Sequence, residues 1–204
     1  MSLFISFEGG EGAGKSTQIA LLSEWLHAAG RDVVMTREPG GTEGAEAIRA
    51  LLVAGSAGRW EPRTDALLIA AARSDHVARL VRPALAAGKI LLCDRYVHST
   101  LAYQGHGQGL PIAELVRLHD FATDALWPDL VLWLDLPVEA GLRRAAARRG
   151  DEDRFERQGT GFHERVRAGF AAMAKEDPRM RRIDATADPD SVAAAIRAEV
   201  LPLL

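Results

Sequence analysis

Gly9-Gly10-Glu11-Gly12-Ala13-Gly14-Lys15-Ser16 joins an apolar run, residues 3–7, to a helical pattern in which Ile19, Leu22 and Leu26 share one face. The stretch fits G-x-x-x-x-G-K-[ST] in full, and a strand before it with a helix after it is the context that gives this pattern meaning. Its glycines let the backbone wrap closely, so that N–H groups converge on a phosphate at the positive end of the following helix. Residues Gly9 to Ser16, with Thr17 behind them, are therefore expected to bind a nucleotide. Lys15 would bridge the β- and γ-phosphates, and the Ser16 hydroxyl would ligate Mg²⁺. Glu11 is the odd member, because a carboxylate about 4 Å from a phosphate charge is repelled by about 4 kcal/mol at an effective dielectric of about 20. It is expected to point away from the donor nucleotide, toward a sugar hydroxyl of a second substrate or into solvent.

Outward from this loop, strand-length apolar runs recur at 33–36, 90–93, 130–134 and, more weakly, 182–184. They are too apolar for a half-exposed sheet and read as buried parallel strands. Helical patterns separate them: one opened by Pro62 and closed by Gly88, then 111–125, 138–147, 162–175 and 191–201. The alternation predicts one α/β domain over residues 1–204, with a parallel sheet of about five strands flanked by helices on both faces. Asp94 and Asp135 each end an apolar run, where ligands of such sheets bind. Only one of them can hold the Mg²⁺ shell, and Asp94 has the richer neighbourhood. Residues 148–161 break the rhythm with charge and glycine, and read either as a solvated loop or as a flap over a phosphate site.

Composition narrows the function. The 204 residues carry 25 basic and 28 acidic side chains, a formal charge of −3. A general nucleic-acid or membrane-surface binder would need a basic excess, so any anion here must be gripped by a local cluster of arginines. Cys93 is the single cysteine, no run is long enough to cross a bilayer, and the N-terminus meets charge too early for a signal peptide. A cytoplasmic protein is expected.

The run Asp94-Arg95-Tyr96-Val97-His98-Ser99-Thr100-Leu101-Ala102-Tyr103-Gln104-Gly105, taken with residues 8–17 and Arg37-Glu38-Pro39-Gly40-Gly41-Thr42, closely resembles the bacterial thymidylate kinases. Pro128-Asp129-Leu130, Leu134-Asp135 and Asp153-Arg154-Phe155-Glu156 resemble them too. The resemblance implies a P-loop nucleoside monophosphate kinase, with ATP as donor, dTMP as acceptor, Mg²⁺ held by Ser16 and Asp94, and a homodimer. It places Arg37, Arg73 and Arg95 on the acceptor phosphate, Glu11 on the sugar 3′-hydroxyl and Tyr103 where a 2′-hydroxyl would sit. Thr100 and Gln104 would approach the thymine edge, and the Glu38–Pro39 bond is expected to be cis. Members of the family carry a catalytic arginine either in the phosphate loop or in the flap. With Gly12 in the loop and Arg148, Arg149 and Arg154 in the flap, this chain looks like the second sort, with Arg144 ambiguous on the helix before. It departs from the pattern at Ile69, where an aromatic usually stacks on the base. His76, His98 and the four tryptophans, Trp25, Trp60, Trp127 and Trp133, read as structural. The rivals are another small-molecule P-loop kinase, which would not need the 94–105 run, and a non-catalytic nucleotide switch. A guanine-binding switch would carry Asn-Lys-x-Asp, which this sequence lacks.

Overall fold

The computed structural model describes residues 2–55, 58–147 and 158–204. In chain order it runs β1 (Leu3–Glu8), α1 (Lys15–Ala28), β2 (Val33–Arg37), α2 (Glu43–Val53), α3 (Pro62–His76), α4 (Arg82–Ala86), β3 (Ile90–Asp94) and α5 (Val97–Thr100). Then come α6 (Ile112–Thr123), β4 (Leu130–Asp135), α7 (Val138–Ala146), α8 (Thr160–Glu176), β5 (Met180–Asp184) and α9 (Pro189–Val200). The five strands form one parallel sheet in the order β2-β3-β1-β4-β5.

Strand alternation divides the core. Leu3, Ile5 and Phe7 face a layer with Ile19, Leu22, Leu26 and Ile196 from α1 and α9, whereas Phe4, Leu91 and Cys93 face Val77, Val81, Tyr96 and Val97. Helices therefore cover both faces, as the near-continuous apolar strands require. The expected strands and the five helical patterns after residue 60 are all present. The pattern from Pro62 to Gly88 is one path rather than one regular helix: a π-helical stretch, Val77–Val81, separates α3 from α4 just before Pro83, which has no N–H to give a regular ladder. Gly88 ends the path at φ +75°.

Two elements stand outside the sequence expectation: α2, and the pair made by α5 and the π-helical Leu101–Gly107. Both bound the site. Register does the rest, because Phe7 pairs with Asp94 and Arg37 pairs with Asp94 from the other side. The ends of β1, β2 and β3 thus bring the phosphate loop, Asp94 and Arg37 to one crevice at the carboxyl edge of the sheet, where such sheets bind ligands. Among the described residues no helix is long and apolar enough to cross a membrane.

Candidate active site

The phosphate loop is built from backbone that other residues cannot adopt cheaply. Gly9, Gly12 and Gly14 have φ of +138°, +67° and +90°, in or near regions that cost an L-residue roughly 1–2 kcal/mol. Gly12 is also pressed against α7, since a Cβ there would lie 2.2 Å from the Gly141 carbonyl oxygen, and one on Gly141 would lie 2.3 Å from that of Glu11. This glycine-to-glycine seat leaves no room for a side chain at position 12, and it sets Arg144 of α7 beside Gly12. Lys15 folds back to donate to the carbonyls of Gly10 at 3.2 Å and Gly9 at 3.5 Å. Burial and the nearby Arg95 charge push its ammonium pKa down, against the pull of Asp94, Glu11 and Glu8.

The two strand-ending aspartates have different partners. Ser16 donates its hydroxyl to Asp94 at 3.0 Å, joining the first turn of α1 to the end of β3. Asp135 instead receives Arg167 at 2.7 Å and Arg182 at 2.8 Å. Burial acts to raise the Asp135 carboxyl, but the two guanidinium groups keep it lowered. It ties α8 to β4 and β5.

Glu11 turns out of the loop into a neighbouring cleft. It pairs with Arg95 at 2.8 Å and accepts the Tyr103 hydroxyl at 2.8 Å. Burial would raise its carboxyl, but Arg95, Lys15 and the Tyr103 bond hold it down to about 2. Arg95 sits at φ +70°, left-handed backbone that a residue with a Cβ rarely adopts, and donates further to the Gly9 carbonyl at 2.9 Å and to Ser99 at 3.2 Å. Strain of this kind, on the order of 1–3 kcal/mol, persists only where surroundings over-determine it. Its guanidinium also lies 5.0 Å from the centre of the Tyr103 ring.

Two cavities meet at this wall. One is lined by the phosphate loop with Arg37, Asp94 and Arg95; the other by Ile69, Arg73, Tyr96, Thr100, Tyr103 and Gln104; Glu11, Glu38, Arg49 and Arg95 border both. Arg37 is steered to the first by Glu46 at 3.1 Å. Arg73 lines the second cavity together with Arg95. Glu38 receives it at 2.6 Å, Thr100 accepts it at 3.0 Å, and it stands over the Tyr96 ring, so it closes the second cavity on the Ile69 side. Gln104 is fully buried at that wall, with neither amide atom partnered among the described residues. The Glu38–Pro39 bond is cis, as expected. His76 is buried between Glu38 and Thr36, at 2.8 Å from each. His98 is buried against Asp177. Arg148, Arg149 and Arg154 lie outside the described residues.

Arg49 and Glu8 were not singled out from sequence. Arg49 donates to the Pro39 carbonyl at 2.7 Å. It falls on the α2 face of buried Ala45 and Leu52, at i, i+4 and i+7, but two apolar residues are too few to mark that face in the sequence.

A nucleotide loop with a hydroxyl–carboxylate pair beside it, sharing a cationic wall with a second, largely apolar cleft, defines a P-loop phosphotransferase with two substrate sites. The sequence profile of the thymidylate kinase family matches residues 7–196. A protein named thymidylate kinase from Caulobacter vibrioides is 56% identical over 95% of this chain and 93% of its own, and one from Thermomicrobium roseum is 53% identical over 100% and 97%. The crystal structure of thymidylate kinase from Ehrlichia chaffeensis superposes with a TM-score of 0.78, at 33% identity and 98% coverage of both chains. The chain belongs to the thymidylate kinase family.

Proposed function

We propose that this protein transfers the γ-phosphoryl group of ATP to dTMP, giving dTDP for dTTP synthesis. The observation that carries the reading is the shared wall: Glu11 and Arg95 border both the phosphate-loop cavity and the cleft of Ile69, Tyr103 and Gln104. A donor phosphate on the loop and an acceptor phosphate on Arg95 would meet across it.

An acceptor phosphate is largely dianionic at neutral pH, its second pKa being about 6, so no general base is needed. The chain's task is to align two polyanions and cancel their charge in a loose, in-line transition state. Lys15 holds the β- and γ-phosphates. Arg37 and Arg95 take the acceptor phosphate, with Arg49 placed to assist. Glu11 meets the sugar 3′-hydroxyl. Tyr103 fills the space of a 2′-hydroxyl and so disfavours ribonucleotides. Thr100 and the unpaired amide of Gln104 address the base edge, and Ile69 covers its face. Arg73 is proposed for the acceptor phosphate as well, from the cavity wall it shares with Arg95.

The Ser16 hydroxyl and Asp94 carboxylate are hard oxygen donors beside the loop, a fit for Mg²⁺ that also keeps waters and phosphate oxygens as ligands. Ser16 and Asp94 would hold that ion beside the loop, where it would supply charge neutralisation for the donor phosphates. Arg148, Arg149 and Arg154 are proposed to close over the phosphates and exclude water. A homodimer is supported by Phe121 at 88% and Leu67 at 59% exposure on α6 and α3, helices that pack together. Phe121 is a ring that a lone chain would leave in water. The enzyme is read as cytoplasmic, acting on small molecules and on neither nucleic acid nor membrane.

Coupled-assay ADP release tests the reading. Release that depends on dTMP supports it; release indifferent to dTMP, or absent with both substrates, overturns it.

A further inference from the structure

Glu8 ends β1 and is fully buried, one residue before the phosphate loop. Its carboxylate reaches away from that loop, into the turn after β3. Oε1 accepts the Tyr96 N–H at 2.9 Å, and Oε2 accepts the Ser99 hydroxyl at 2.6 Å. The Ser99 oxygen in turn accepts Nη1 of Arg95 at 3.2 Å. Arg95 lies between these anchors, in left-handed backbone, with its own N–H on the Phe7 carbonyl at 2.9 Å.

We propose that Glu8 is the positioning residue for Arg95, fixing it at two points: the main chain through the Tyr96 N–H, and the guanidinium through Ser99. The two oxygens of one buried carboxyl do both, Oε1 at 2.9 Å from the Tyr96 N and Oε2 at 2.6 Å from the Ser99 hydroxyl. The arrangement makes β1, the loop's first residue and the acceptor arginine one rigid piece. Arg95 therefore meets the acceptor phosphate already oriented, instead of being ordered by it. A side chain serving only to close the end of β1 would need one of these bonds, not a relay that ends on a guanidinium.

This inference rests on the reading of Arg95 as ligand of the acceptor phosphate, and the test separates the two. Steady-state KM and kcat for dTMP and for ATP are measured, with the unliganded Tm, for Arg95→Ala, Glu8→Ala, Glu8→Gln and Ser99→Ala. Arg95→Ala should raise the KM for dTMP and lower kcat. Glu8→Ala should follow it, with KM for dTMP up by about tenfold or more and KM for ATP within about twofold, as loss of bonds to a charged group implies. Glu8→Gln should recover most of this loss, because its amide oxygen still accepts from Tyr96 and its NH₂ can donate to Ser99. Ser99→Ala keeps the Tyr96 bond but cuts the link to the guanidinium, and should show an intermediate rise in KM for dTMP. It carries the test alone if Glu8→Ala does not fold. A lowered Tm in Glu8→Ala with KM for dTMP unchanged, or an unchanged KM in Ser99→Ala, overturns the positioning role. An unaffected Arg95→Ala overturns the reading of Arg95 itself.

Discussion

Replacing Glu11 by Gln should flatten the acid limb of the stability curve. The Glu11 carboxyl is held at about 2 in the folded chain, against 4.5 for the free group, with burial opposing and Arg95 dominating the fall. A carboxyl depressed on folding stabilises the native state fully above its unfolded pKa, and loses that stabilisation as pH falls through the folded one. The depression corresponds to about 3 kcal/mol at neutral pH, of which about 2 kcal/mol should be gone by pH 3. Gln has no such titration. Urea unfolding of both proteins at pH 7, 5, 4 and 3 reads the difference directly. The wild type should lose about 2 kcal/mol more than Glu11→Gln between pH 5 and pH 3, whatever other carboxylates contribute to both. The variant should also be weaker at pH 7, because Arg95 keeps its charge but loses its partner. Parallel acid limbs would refute the reasoning, and would mean that Glu11 does not pair with Arg95 in solution.

Lys15→Ala should leave the Tm near that of the wild type and lower kcat by about 10²–10³, the scale of losing one preorganised charge; near-native turnover would remove the phosphate-loop assignment. Gly12→Arg should reduce both Tm and ATP affinity, since its Cβ would lie 2.2 Å from the Gly141 oxygen at φ +67°; a fully active, stable variant would show that the α7 seat yields freely. Ile69→Phe should tighten dTMP binding by about three- to tenfold through offset stacking worth about 0.5–1.5 kcal/mol, read by calorimetry beside the unliganded Tm. A stable variant that binds no better would place Ile69 away from the base.

The sheet was legible because its three inner strands are buried on both faces and read as unbroken apolar runs, while the edge strand β2, only partly buried, still carries Val33, Val34 and Met35 in a row. β5 read weakly for a physical reason: it is an edge strand pairing only with β4, and its Arg181 and Arg182 are exposed. α2 carries no clear helical period in the sequence because Gly44 weakens its start and only Ala45 and Leu52 are buried, too few to make a stripe. The segment from Val97 to Gly107 escaped for the opposite reason. It is buried nearly throughout but holds His98, Ser99, Thr100 and Gln104, so no amphipathic period marks it. Gly107 serves there by closeness, since a Cβ would lie 2.6 Å from Phe162. In the site, the loop announced itself by local spacing. The arginine networks did not, because Glu38 with Arg73, and Glu8 with Ser99, join residues 35 and 91 positions apart. The sequence favours Asp94 over Asp135 by neighbourhood alone; their different partners, a hydroxyl for one and two guanidinium groups for the other, come from chain distances no local pattern spans.

The central claim, that the acceptor is dTMP and is chosen by the cleft of Tyr103 and Gln104, is tested most directly by kcat/KM for dTMP, dUMP and UMP with ATP saturating. The Tyr103 ring is fixed from three sides, by its bond to Glu11, the Arg95 guanidinium and edge contact with Phe162 at 5.9 Å, so it cannot swing aside for a 2′-hydroxyl. The account predicts dTMP ahead of dUMP, and UMP poorer still. UMP turned over as efficiently as dTMP would contradict it.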